Sequence, residues 1–304
     1  MKKDSTIVSL SDKKYFNLLL ELISSIKKFS NSSNIAICIL DAGLTNEQVN
    51  VLKPLVDEIK KAEWDIEIPN YKIKGREWLK SQISRAFLPR YFPNYNKYLW
   101  IDCDAWVNDW EAVNMFFKGC DNNKLAIVPS ISPGYRNVGK VRWVFRNLSI
   151  VKTQNFKHAM NSGLPNDIAR KIAFAPHLNI GVFALEKNSK IWEDWQSLLK
   201  KTLLKGRVFG SEGLAINILV YYYNVKTEFL PARYNWILSH LLPKFDTANK
   251  TFVEPFLPNY KIGIMHLAAG IFVDKKDMRL DKTLKIDLQQ TNGKNILKSL
   301  RFEN

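Results

Sequence analysis

Tyr98-Leu-Trp-Ile-Asp-Cys-Asp-Ala-Trp-Val107 is the stretch on which the reading of this chain turns. Its opening is apolar, too short for a lone helix, and rich in the aromatic and β-branched side chains of a buried strand. Two carboxylates, Asp102 and Asp104, appear where the apolar run stops. On an extended chain, residues two apart face the same side, so both carboxylates are expected to point at one spot while Cys103 points away. Paired oxygen ligands at a strand's end suit a divalent cation such as Mg²⁺ or Mn²⁺. Taken alone, Asp-x-Asp is also what any strand running into a polar turn looks like.

The flanking sequence places that strand in an α/β context. Thr6-Ile-Val-Ser-Leu10 reads as a first strand, and Leu19, Leu22, Ile26 and Phe29 follow at helical spacing. Ile35 to Leu40 is a second buried strand, after which Thr45 and Gln48 stand as a capping box for another helix. Strands and helices alternating in this way predict a parallel sheet of right-handed crossovers, which binds ligands beyond the carboxyl ends of its strands. Neither G-x-G-x-x-G nor G-x-x-x-x-G-K-[ST] occurs, so a dinucleotide fold or a P-loop enzyme is not expected. Phosphates bound here must be met by metal and basic side chains.

Composition narrows the class further. The chain has 304 residues, a formal net charge of +16 and 46% hydrophobic residues, enough for a sizeable core and for attraction to anionic partners. No apolar run approaches the roughly 18 residues of a membrane span. Met1-Lys-Lys-Asp-Ser5 leads straight into a strand, so a cytoplasmic protein is expected. Cys38, Cys103 and Cys120 include no close pair and read as reduced thiols.

Residues 122–166 contain no Asp or Glu, yet hold Lys124, Arg136, Lys140, Arg142, Arg146, Lys152 and Lys157, with Tyr135, Trp143 and Phe145 interleaved. That bias fits a solvated basic loop or an anionic partner. Leu178-Asn-Ile-Gly-Val-Phe-Ala-Leu185 reads as a strand whose glycine allows close approach of a ligand to the backbone. Ser211-Glu-Gly213 opens a helix, where Glu212 is a favourable first-turn charge or a functional carboxylate. Pro231 to Trp236 has the polar and aromatic character of a binding loop, and Lys261 to His266 is a late strand ending on a lone imidazole. From Asp274 the chain is lysine-rich, and Leu284, Ile286, Leu288, Ile296, Leu297 and Leu300 give it a weak amphipathic face.

Taken in order, these stretches resemble the family 8 glycosyltransferases, the retaining enzymes of GT-A fold that include glycogenin and bacterial lipopolysaccharide galactosyl- and glucosyltransferases. The resemblance covers Thr6 to Gly270: the first strand and turn through Tyr15, Ser84-Arg-Ala-Phe-Leu-Pro89 running into the D-x-D strand, His177-Leu-Asn-Ile-Gly-Val-Phe183, Glu212-Gly-Leu-Ala-Ile-Asn217, and the strand with His266. It implies an α/β GT-A fold, Rossmann-like, with a mixed, mostly parallel sheet flanked by helices. Residues 1–273 would form the catalytic domain, about 122–176 a helical, basic acceptor-side insertion, and 274–304 a basic C-terminal tail.

The resemblance also implies roles. Asp102, Asp104 and His266 would hold Mn²⁺ or Mg²⁺. Ser9, Leu10, Ser11, Asp12, Tyr15, Arg85, Cys103, Gly270, Lys275 and Lys276 would bind the nucleotide of a UDP-sugar. Glu212, Asn179 and Arg85 would serve catalysis, and Arg136, Arg142, Trp143, Arg146, Tyr234, Asn235 and Trp236 the acceptor. Three departures stand out: Glu212 replaces the family's Asp, Gly213 its Gln, and the Lys and Trp after the late histidine are out of register.

The expected activity is transfer of a hexose, with retention, to a glycan, lipid-linked or lipopolysaccharide-type acceptor of anionic character. The protein would be cytoplasmic, with peripheral contact at the acidic inner face of the cytoplasmic membrane and no nucleic-acid partner. A nucleotidyltransferase, or a non-catalytic binder of anionic surfaces or nucleic acid, is the alternative.

Overall fold

The computed structural model describes residues 3–135 and 139–303. Strand β1 (Ser5–Ser11) leads into helix α1 (Phe16–Lys27), β2 (Ala36–Asp41) into α2 (Asn46–Leu52), and β3 (Glu58–Lys61) follows. Leu18, Leu19, Leu22, Ile23 and Ile26 form the buried face of α1. The expected capping box starts α2: Gln48 N donates to Thr45 Oγ1, and Thr45 N donates to Gln48 Oε1. Short helices α3 (Asn70–Ile73), α4 (Ser81–Ser84) and α5 (Leu88–Tyr91) carry the chain to β4 (Lys97–Ile101), β5 (Ala105–Val107), α6 (Glu111–Gly119) and β6 (Leu125–Pro129).

A hairpin of β7 (Gly139–Phe145) and β8 (Leu148–Thr153) comes next, then α7 (Gln154–Asn161), α8 (Asn166–Lys171), β9 (Leu178–Glu186), α9 (Ile191–Lys205), α10 (Ser211–Tyr221) and β10 (Thr227–Phe229). The basic region expected on the acceptor side is therefore helical in α7 and α8 and carries a β-hairpin besides. Arg136 falls outside the described residues.

Seven strands form the central sheet in the order β10-β6-β9-β4-β1-β2-β3. All neighbours are parallel except β9, which runs antiparallel to both β4 and β6. Burial on both faces explains the continuous apolar run of β4. Tyr98 and Trp100 enter one core cluster, whereas Leu99 and Ile101 enter the other. Because β1 leads outward to β2 on one side and pairs with β4 on the other, the sheet's switch point lies between β1 and β4, with their carboxyl ends on one edge.

The remaining strands are short: β11 (Trp236–Ile237), β12 (Lys244–Asp246), β13 (Thr251–Val253), β14 (Ile264–His266), β15 (Phe272–Val273), β16 (Lys276–Asp277), β17 (Ile286–Gln289) and β18 (Asn295–Lys298). The stretch after residue 273 does not form the surface amphipathic segment its sequence suggests. Its β17–β18 hairpin buries Leu288, and Met278, Leu288, Leu300 and Phe302 share a third core cluster with Trp106, Trp236 and Phe252. Leu284, Ile286 and Ile296 pack against that cluster, and of the apolar residues singled out there Leu297 stays exposed.

Candidate active site

Asp102 and Asp104 converge, though not by the extended-strand alternation expected. The strand ends at Ile101, and Asp102 to Ala105 form a turn in which Ala105 N donates to Asp102 O at 3.0 Å. Both carboxylates are thereby brought to the carboxyl edge of the sheet. After the turn β5 pairs antiparallel with β14, and the register sets His266 opposite Ala105, directly beside Asp104. Its Nε2 lies 3.3 Å from Asp104 Oδ1 and 3.9 Å from Asp102 Oδ2. Ligand atoms of Asp102, Asp104 and His266 all fall within 4.8 Å of one another.

A chain of amides fixes the imidazole. Asn179 Oδ1 accepts from Gly181 N at 2.9 Å, so the Asn235 amide turns its Nδ2 toward that oxygen, at 3.3 Å. Asn235 Oδ1 is thus left to accept from His266 Nδ1 at 2.9 Å. With Nδ1 donating to Asn235, Nε2 is the nitrogen turned toward the carboxylates; there it donates to Asp104 when protonated and offers a lone pair to a cation once that proton is displaced. Asn235, expected among the acceptor residues, instead stands behind His266. Its neighbours Tyr234 and Trp236 are buried as well, Tyr234 donating to Glu111 Oε1 at 2.9 Å and Trp236 fully enclosed in the third core cluster.

Gly181 explains the Asn-x-Gly spacing on β9. A Cβ there would meet His266 Cε1 at 2.2 Å and Asp102 Oδ2 at 2.8 Å. What comes close to this backbone is the protein's own imidazole and carboxylate. A side chain at 181 would displace both, so glycine here keeps His266 and Asp102 in place.

Arg85 is buried, and its guanidinium lies over the Trp100 ring at 4.8 Å. It donates to Ser81 O and Ile180 O at 2.8 and 3.0 Å and pairs with Asp102 Oδ1 at 3.1 Å. Trp100 Nε1 also donates to Asp102 Oδ1, at 2.7 Å. The guanidinium is thus engaged in positioning Asp102 rather than standing open to the cleft. Burial raises the Asp102 pKa against the pull of Arg85, whereas Asp104, though equally desolvated, is held below the ordinary carboxylate value by His266 and Arg279. Burial opposes charge on His266, yet the hydrogen bond and charge of Asp104 keep its pKa above the usual histidine value.

Arg279 escaped the sequence reading, which looked to Lys275 and Lys276. Those lysines are exposed at the β15–β16 turn. Arg279 returns into the site: Nη1 lies 3.6 Å from Asp104 Oδ2, Nη2 pairs with Asp277 Oδ2 at 2.7 Å, and the guanidinium sits 5.7 Å from the Tyr15 ring. Gly270, at φ +79°, makes room for it, since a Cβ there would lie 3.0 Å from Arg279 Nη2. The signal available in sequence was only a cation within reach of Gly270.

The first-strand residues gather on the same edge. Ser9, Leu10 and Ser11 are buried at the end of β1, and Ser9 Oγ has no hydrogen-bond partner. Asp12 Oδ1 accepts from Lys14 N and Tyr15 N at 3.0 and 3.1 Å, shaping the turn that presents Tyr15, while Cys103 is half-buried beside Asp102 and Asp104. Glu212, in the first turn of α10, is buried, its Oε2 lacks a partner, and burial pushes its pKa up to about 7 despite Arg85 nearby. Gly213 leaves space, a Cβ there meeting only Ile180 Cγ1 at 3.9 Å. Arg142, Trp143 and Arg146 stand exposed on the β7–β8 hairpin.

A sequence profile described as Glycosyl transferase family 8 matches residues 6–267. The chain belongs to that family. It is a glycosyltransferase of GT-A fold. Among solved structures, the bifunctional glycosyltransferase WbbM matches with a TM-score of 0.53 at 18% identity, over 92% of this chain and 49% of that one. The galactosyltransferase LgtC, in complex with donor and acceptor sugar analogs, gives a TM-score of 0.46 at 15% identity over 80% and 76% of the two chains. An active-site mutant of LgtC gives 0.49 at 14% identity over 87% of each. No curated protein matches by sequence. The cluster of two carboxylates and an imidazole is a donor set that fits a divalent cation.

Proposed function

We propose that this family 8 glycosyltransferase moves a hexose from a UDP-sugar to an acceptor hydroxyl with retention, using Mn²⁺ or Mg²⁺ held by Asp102, Asp104 and His266. The observation that carries the reading is the convergence of those three side chains within 4.8 Å at the switch point of the sheet. When bound there, the cation would neutralise charge on the diphosphate as a Lewis acid. Arg279, facing Asp104 and Tyr15, adds a charge-assisted contact to the same diphosphate, and Ser9, Ser11, Asp12 and Tyr15 surround the nucleoside.

In the transfer, the bond from the sugar's anomeric carbon to the phosphate oxygen breaks and its electron pair leaves with UDP. The acceptor oxygen bonds the same face of that carbon, and its proton passes to the departing phosphate oxygen. Glu212 and Asn179 flank the sugar, Glu212 stabilising positive charge at the anomeric centre when ionised. The net charge of +16 supports an anionic glycan or lipid-linked acceptor at an acidic membrane surface.

UDP binding measured by calorimetry with and without Mn²⁺, on the wild type and on a folded Asp104→Ala variant, tests the reading. Expected is Mn²⁺-dependent binding that the variant loses, with slow hydrolysis of one member of a UDP-hexose panel. Equal binding with and without metal, or undiminished binding by Asp104→Ala, would overturn it.

A further inference from the structure

Residues 142–151 are exposed apart from Ser149, which is half-buried, and their side chains belong to none of the core clusters. Leu148 and Ile150, two apart on β8, share a face with their cross-strand partners Phe145 and Arg142; Trp143 and Val151 lie on the other. Trp143 is 67% and Phe145 72% exposed. A lone two-stranded hairpin is marginal in water, and one that shows apolar side chains on both faces lacks a covering surface. The chemistry of that surface follows from its neighbours. Arg142 and Arg146 bracket the aromatics, and no acidic residue occurs from 122 to 166. Aromatic rings flanked by arginines suit the headgroup layer of an anionic bilayer, where rings settle at the interface and guanidinium groups meet lipid phosphates.

The hairpin's root lies close to the site. Strand β8 ends at Thr153, whose Oγ1 accepts from Phe156 N at the start of α7. Asn155 on that helix accepts from His177 Nδ1 at 2.8 Å. His177 stands just before β9, two residues from Asn179, and Asn179 accepts from Asn235 behind His266. Among the described residues no helix is long and apolar enough to cross a membrane, so attachment by this element is peripheral.

We propose that the β7–β8 hairpin docks the enzyme on an anionic lipid surface, so that the acceptor side of the site faces the bilayer and a lipid-linked acceptor reaches it in the membrane plane. The inference rests on the glycosyltransfer reading for its purpose, whereas docking itself involves no sugar and is tested without one.

Co-sedimentation of the full chain is measured with vesicles of phosphatidylcholine alone and of phosphatidylcholine with phosphatidylglycerol. The wild type is expected to bind only the anionic vesicles, less as salt is raised. Trp143→Ser with Phe145→Ser should weaken binding roughly tenfold. Arg142→Ser with Arg146→Ser should weaken it roughly fivefold per arginine and blunt the salt dependence. Both variants should keep the wild-type circular dichroism and bind UDP as the wild type does. Asp104→Ala should sediment with anionic vesicles like the wild type, so failure of the nucleotide reading leaves this arm intact. Wild-type binding by the aromatic variant overturns the proposal. So does a wild-type dimer that the aromatic substitutions disperse while vesicle binding is unchanged, because the hairpin would then cover a second copy.

Discussion

At the scale of single residues, the site depends on side chains that never face the substrate. Asn235 reaches no carboxylate, yet its amide decides which nitrogen of His266 carries the proton, because Asn179 and Gly181 settle how that amide is turned. Asn235→Ala should therefore weaken Mn²⁺ affinity roughly 10- to 100-fold while the chain stays folded, as loss of an outer partner does at other metal sites. Titration of Mn²⁺-dependent UDP binding measures this, and wild-type metal affinity in the variant would count against the tautomer argument. Asn235→Asp, which keeps the acceptor, should retain more affinity than alanine.

Elements contribute by what they bury. Helix α10 is buried along nearly its whole length, from Ser211 to Val220, so the carboxylate in its first turn is desolvated although a helix N-terminus ordinarily favours negative charge. Glu212 reaches a pKa of about 7 in the fold, against an ordinary value of 4.5. A folded-state pKa raised in this way gives stability that is complete below pH 4.5 and is lost as pH rises through 7. In the metal-free protein, wild type should lose about 3 kcal/mol over that window relative to Glu212→Gln. Denaturant unfolding at several pH values, read as the difference between the two proteins, checks the sign. The hairpin of β7 and β8 is the opposite case, a pair of strands with apolar side chains and no core to receive them. A basic, glycine- and proline-dotted stretch held little sign of it, because its period-2 pattern covers no buried face.

Over the whole molecule, the stretch after residue 273 closes the structure. Trp106 Nε1, next to the D-x-D turn, donates to Leu300 O at 2.9 Å. Arg301, with its side chain 3% exposed, pairs through Nε with Glu21 of α1 at 2.9 Å. Arg301→Ala would leave the partly buried Glu21 carboxylate without its cation, at a cost of about 3 kcal/mol. A matching fall in the midpoint of urea unfolding is expected, and Glu21→Gln in the same background should recover part of it. An unchanged midpoint would mean that the terminal stretch adds little to the fold.

Local pattern alone settled the first alternating strands and helices, the parallel pairing of β1 with β2, the capping box of α2 and the two carboxylates at the end of β4, since each rests on periodicity or on a motif within a few residues, whereas the antiparallel course of β9 left no local sign. The third member of the candidate cation site, His266, was legible only through the ordered family motifs. Only the tertiary structure decided the rest. The register of β14 against β5 sets His266 beside Asp104, and Gly181 lets the two sides meet. The turn after β15 and β16 carries Arg279, not Lys275 or Lys276, back to Asp104. Asn235 and Trp236, adjacent in a polar and aromatic loop, divide between a ligand's support and the core. These pairings join residues far apart in the chain, and close packing selects them through volumes and hydrogen-bond partners that no local stretch contains.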